Sequence, residues 1–216
     1  MIGIDRAPLA PITTDLKDVD AQVLFLFALV REGLAAATEA FLEGDRDAAR
    51  DLAANDCRVD DLQLRIEALV CRELTKERTV TPEELRHLLL VLQIVPELER
   101  SGDLVEHIAL RASQGLAQKI SPRCRGLVDQ MGRIATEMWR SAATAFADAD
   151  PGAADRLRLR DDELDDLHVT LTGELAGVAL PVAVAIEMGL VARFFERLGD
   201  HAVNVTRRLS LLTAPS

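Results

Sequence analysis

From Asp15 to Glu43 the apolar residues fall at helical spacing, with Val19, Val23, Leu26, Phe27, Val30, Leu34, Ala37 and Phe41 forming one stripe. The stripe stops at Gly44-Asp45, a glycine suited to close one helix followed by an aspartate suited to cap the next. The same periodicity resumes through Ala49, Leu52, Val59, Leu62, Ile66 and Leu69, which predicts a second helix over 45–74. Thr81-Pro82-Glu83-Glu84 supplies an N-cap, a first-turn proline and first-turn acids for a third helix reaching about Leu116. A kink is expected in it at Pro96, because proline removes one backbone hydrogen bond. After Gly115 the cycle restarts. Ser121-Pro122 opens a fourth helix through Ala147, Asp150-Pro151 a fifth through Leu175, and a sixth runs from about Leu180 to Leu211.

The six helices are two copies of three. Phe41 lies over Phe146 at an offset of 105, and the same offset lays Asp56-Cys-Arg-Val-Asp60-Asp61-Leu62 over Asp161-Asp-Glu-Leu-Asp165-Asp166-Leu167. In the third helix of each copy the offset drops to 97, where Glu99-Arg-Ser-Gly-Asp103 lies over Glu196-Arg-Leu-Gly-Asp200. The excess of the first copy falls around Thr75 to Thr81, in a loop, where extra length costs little. The expected fold is all-α, two tandem antiparallel three-helix bundles related by internal duplication: a flexible segment over 1–14, one repeat over 15–117 and a second over 118–213.

Residues four apart share a helix face, so Asp56/Asp60, Glu99/Asp103, Asp161/Asp165 and Glu196/Asp200 are four stacked carboxylate pairs. Like charges in that register destabilise a helix by a few tenths of a kcal/mol. Solvation, or pairing with Arg58, Arg100, Arg158 and Arg197, would offset one such pair. A second reading is a metal site, since hard cations take several carboxylate oxygens and two helices present four of them. A third is a metal-handling or di-iron carboxylate bundle, for which Glu84-Leu-Arg-His87 and Asp165-Asp-Leu-His168 offer the helical spacing at non-equivalent places in the two copies. Recurrence in both copies moves the balance towards metal, with Fe, Zn, Mg and Mn all open. Gly102 and Gly199, each costing about 1 kcal/mol in a helix interior, then read as room for a neighbouring helix or beside an ion.

Charge and composition narrow the function. With a net charge of −11 the chain lacks the concentrated basic face that nucleic acid requires. Arg207-Arg208 reads as compensation of a helix C-terminal dipole. Cys57, Cys71 and Cys124 are odd in number and without a CxxC pair, which fits buried thiols in a reducing compartment. The first fifteen residues lack a continuous apolar run, and the weakly polar stretch from Leu175 to Ile186 is broken by Pro181 and falls short of the ~20 residues of a membrane span. A cytoplasmic protein is expected. No nucleophile arrangement, phosphate-cradling loop or zinc motif is visible, so the protein is not expected to be an enzyme.

"ELERSGDLVEHIA" and "FFERLGDHAVNV", each preceded by a DxxxDDL helix in a duplicated unit, resemble the PhoU family of phosphate-signalling regulators over about residues 16–212. The resemblance implies a negative regulator linking a phosphate ABC transporter to a phosphate-responsive sensor histidine kinase, dimeric, and reaching the membrane only through its partners. It also implies two metal-cluster sites, one at Asp56, Asp60, Glu99 and Asp103, the other at Asp161, Asp165, Glu196 and Asp200, with Asp61 and Asp166 as further ligand candidates. The first copy departs from the family pattern at Ser101 and at Glu106-His107, so its site is expected to bind differently or less tightly. His107 stands four residues after Asp103, within reach of a ligand set but as readily a surface residue.

Overall fold

The computed structural model describes residues 14–54, 57–77 and 79–213. Through them run seven α-helices: α1 (Thr14–Glu43), α2 (Arg46–Ala53), α3 (Cys57–Leu74), α4 (Pro82–Ser113), α5 (Pro122–Asp148), α6 (Ala153–Ala176) and α7 (Val182–Thr213), with a 3-10 turn at Ala117–Lys119. No strand occurs among the described residues. The boundaries follow the capping chemistry. Gly44 takes a positive φ of 73° after α1, and the Asp45 carboxylate accepts the N–H groups of Asp47 (3.1 Å) and Ala48 (3.0 Å) to start α2. Thr81 and Glu84 cap each other's backbone at the start of α4, and Ser121 accepts the Cys124 N–H at the start of α5.

Two expectations need correction. The second helix of the first copy is two helices, α2 and α3, whereas its counterpart α6 is continuous. Asn55 stands where α6 has Arg160, and asparagine is the weaker helix former because its side chain competes for backbone groups. Arg160 in addition reaches Glu137 of α5 and Glu163, both at 2.7 Å. The fifth helix starts at Ala153 rather than at Asp150, whose carboxylate instead takes the Gly152 N–H (2.8 Å) and Arg156. As expected for the third helix, α4 spans Pro96, which lies inside it.

The two three-helix units bury their stripes in one contiguous core. Val23, Leu26, Phe27, Val30, Leu34, Ala37, Ala40 and Phe41 of α1 are all buried, and so are the residues 105 positions later on α5. α1 packs on α5 and α4 on α7, so the two main contacts between the units are made by helices of like rank. Phe27 meets Trp139 (ring centroids 6.1 Å apart) and Phe146 (5.9 Å) across the first of these. The apolarity of α1 is high enough, over Leu16–Glu43, to match a membrane-spanning helix by composition, but its apolar stripe is the centre of this core. Of the cysteines, Cys124 is buried as expected, while Cys71 is an exposed free thiol; the Cys57 side chain lies outside the described residues.

A polar knot fastens α4 to α7. Buried Ser101 donates to the Glu97 carbonyl oxygen (2.6 Å), which leaves its oxygen to accept from Nδ1 of buried His201 (3.0 Å). Arg208 donates to Glu97 Oε1 (2.9 Å) and to the Gln93 carbonyl (2.7 Å), in the turn before Pro96. This tertiary tie replaces the dipole role expected of Arg208. Burial pushes the His201 pKa down, so its ring stays neutral. Ser101, a departure from the repeat, is thus matched to His201 on the other copy. Ser101→Ala should cost about 1–3 kcal/mol by leaving the imidazole N–H unpartnered. In chemical denaturation, the double variant Ser101→Ala/His201→Leu should recover most of that loss, giving a clearly non-additive cycle.

Candidate metal centre

Among the described residues, carboxylates of these pairs bring three ligand oxygens together between α3 and α4 of the first copy, while between α6 and α7 of the second they share a field without such a three-oxygen group. In the first copy, Asp60 on α3 and Glu99 and Asp103 on α4 each offer an oxygen within 4.8 Å of the others; Asp60 is exposed and the other two half-buried. Oxygens around one hard cation lie at roughly 2.0–2.6 Å from it and so up to about 5 Å apart, which makes the three compatible with one ion. Asp56 lies outside the described residues. Gly102 lets α3 approach: a Cβ there would stand 2.9 Å from Val59 Cγ1.

The second copy is more tightly knit electrostatically. Burial lifts the Asp161 carboxyl to a pKa of about 7, and the negative charges of Asp200, Asp165, Glu196 and Asp162 add to the effect. Asp165 is raised by its own desolvation and by Asp200. Glu196 is raised by burial against the opposing pull of Arg193 and with the help of Asp200 and Asp165. Asp161, Asp165, Glu196 and Asp200 therefore share one field, although Asp165 and Asp200 are exposed. Asp161 Oδ1 and Glu196 Oε2 are buried without a hydrogen-bond partner. Two orphaned anionic oxygens in one acidic cluster suit an oxygen-seeking cation, because a buried acceptor left unpaired is costly. Gly199 lets α6 come close, since a Cβ there would push aside the ends of the Asp161 and Leu164 side chains, the latter 2.8 Å away at Cδ2.

Of two neighbours that border this centre, Arg193 escaped the sequence reading and His168 entered it only through the Asp165-Asp-Leu-His168 spacing. Arg193, one turn before Glu196, pairs with Glu196 Oε1. His168 lies near enough to act on the charges of both Asp165 and Glu196. The repeat offsets carried the signal: Pro96 stands in the place of Arg193, and Gln63, which donates to Glu67 (2.9 Å), in that of His168. At these two equivalent positions the first copy thus carries neither the cation nor the imidazole of the second.

Other candidates have different work. His107 stacks on Phe194 of α7 (5.3 Å between centroids, planes 20° apart), with Arg111 over the same ring at 4.8 Å. Glu84 belongs to the α4 capping box, and His87 Nε2 contacts Asp20 Oδ1 at 2.6 Å. Glu84 and His87 are thus engaged away from the carboxylate centres, whereas Asp165 and His168 stand at the second one. Asp61 and Asp166 are exposed next to the centres.

The duplicated architecture has close relatives. The PhoU domain matches residues 23–112 and again 128–209, one match per three-helix unit. The chain is 33% identical over 176 residues to phosphate-specific transport system accessory protein PhoU homolog 2 of Mycobacterium tuberculosis, covering 80% of this chain and 82% of that one. It is 30% identical over 203 residues to the PhoU homolog of Synechocystis, covering 91% and 88%. The crystal structure of PhoU from Pseudomonas aeruginosa superposes with a TM-score of 0.84 at 26% identity, over 92% of this chain and 96% of that one. Two PhoU domains on two copies of one helical unit, each with its ERxGD helix, place the chain in the PhoU family, to which it belongs.

Proposed function

We propose that the protein is a non-enzymatic accessory regulator of phosphate transport that holds phosphate-starvation signalling off when phosphate is abundant. The observation that carries this reading is the PhoU match over both repeats, together with relatives named as phosphate-specific transport system accessory proteins that align over most of their own length. In this reading the protein works in the cytoplasm, as a homodimer, and touches a phosphate ABC transporter and a sensor histidine kinase. Its carboxylate centres hold cations, through Asp60, Glu99 and Asp103 in one repeat and Asp161, Asp165, Glu196 and Asp200 in the other. Oxygen-only donor sets suit Mg, Mn or Fe, and the half-buried His168 beside the second would suit Zn or Fe. The ions would neutralise facing carboxylates and fix the third helix of each unit against the second.

Deleting the gene should make phosphate-scavenging genes constitutive in phosphate-rich medium, read by reporter expression. Full repression in the deletion strain would overturn the regulator reading. Affinity capture from native membranes should return the transporter ATPase and the kinase.

A further inference from the structure

We propose that the trough between α1 and α5 is a docking site for a cationic amphipathic helix of a partner protein. The trough is about 480 Å3 and runs over two turns of each helix, with Ala35, Thr38 and Leu42 facing Gly132 and Thr136. A second hollow of about 460 Å3 continues it between α1 and α2, floored by Ala36, Ala40, Ala48 and Leu52, and the two share Glu39 and Glu43. The internal repeat supplies a control for what opens it. At the offset of 105, Gly132 takes the place of Phe27, a ring that in the other copy is buried against Trp139 and Phe146. With glycine instead of phenylalanine no ring covers this end of the α1/α5 seam, and Thr38 packs directly on Gly132 to make a shallow floor.

The rim determines the occupant. Asp129 is paired with Arg133 (3.0 Å) and Glu137 with Arg160 (2.7 Å), but among the described residues no ion pair forms on exposed Glu39 or Glu43. Two unneutralised carboxylates flank an apolar floor on a protein of net charge −11, which favours a partner carrying lysine or arginine. Two antiparallel helices with small residues at the seam accept a third helix, whose apolar side chains at i, i+3/i+4 and i+7 fill the floor while its basic flanks meet the rim. The trough is open along its length, which suits a helix better than an enclosed small molecule. The carboxylate centres are built from α3, α4, α6 and α7 and take no part in it, so the site stands or falls independently of the cation reading.

The test uses the full chain and a fluorescein-labelled, ~18-residue leucine/lysine amphipathic peptide, with a leucine/glutamate peptide of the same pattern as comparison. The lysine peptide should bind, the glutamate peptide should not, and amide shifts in the labelled protein should concentrate in 35–43 and 129–137. Glu39→Lys/Glu43→Lys should weaken binding about tenfold and flatten its salt dependence, and Thr136→Trp, which fills the floor, should weaken it comparably. Glu83→Lys/Asp155→Lys makes the same charge change elsewhere and should alter binding less than about twofold. Equal weakening by both charge-reversed proteins, shifts centred outside the trough, unaltered binding in Thr136→Trp, or no binding of the lysine peptide would each overturn the proposal.

Discussion

Asparagine at position 161 is expected to raise the melting temperature of the cation-free protein at pH 8 and to remove most of the stabilisation that a divalent cation gives the second centre. The sign follows from proton uptake. The folded pKa of Asp161 stands at about 7 against an ordinary 3.8, so between pH ~4 and ~7 the folded state holds a proton that the unfolded state has released. Stability contributed by this group is full below that window, falls as pH rises through it, and is lost above ~7, where the carboxylate is forced to ionise among Asp200, Asp165 and Glu196. Asparagine keeps the shape without the charge. A cation offsets the same repulsion by binding: a hundredfold excess over Kd contributes about 2.7 kcal/mol, or roughly 5–10 °C in a protein of this size. Scanning calorimetry at pH 5 and pH 8, with and without Mn2+, separates the effects. Wild type should gain from Mn2+ mainly at pH 8, and Asp161→Asn should outlast wild type only when Mn2+ is absent. A variant less stable than wild type at pH 8 without cation, with an unchanged Mn2+ response, would contradict this account of the centre.

Trp139→Ala is expected to be among the most damaging single changes in the chain. Trp139 is fully buried on α5 and meets Phe27 of the other repeat, so its removal opens a cavity at the contact between the units. Loss of a buried tryptophan costs about 3–5 kcal/mol, on the order of 10 °C here. Because the core is contiguous, melting followed by helical signal should remain one transition, displaced downward as a whole. Splitting into two transitions, with one left at the wild-type temperature, would mean that each three-helix unit melts alone. Trp139→Phe should be far milder, since the indole Nε1 has no hydrogen-bond partner to lose.

Much of this was legible in the chain because helices are local. The stripe from Val19 to Phe41, the Gly44-Asp45 junction and the Thr81-Pro82-Glu83-Glu84 start all act through residues within a turn of one another, and each stands in the structure where the pattern put it. The break between α2 and α3 was hidden because the apolar spacing continues across it. Pro96 sits inside α4, where packing on both α1 and α7 lets the helix carry one missing bond.

The candidate site divides the same way. Spacing four apart and duplication marked the carboxylate pairs, because helix geometry alone puts such residues on one face. Which oxygens lack partners depends on how α6 packs on α7, and that Ser101 answers His201 across α4 and α7 depends on a contact between residues a hundred positions apart. The sequence by itself determined the helices, their duplication and the acidic faces, all products of short-range periodicity. Only the tertiary structure decided how the two units share a core, how unequal their two centres are, and that Gly132 opens a trough where Phe27 fills one, because burial, desolvation and steric fit are properties of packed neighbours.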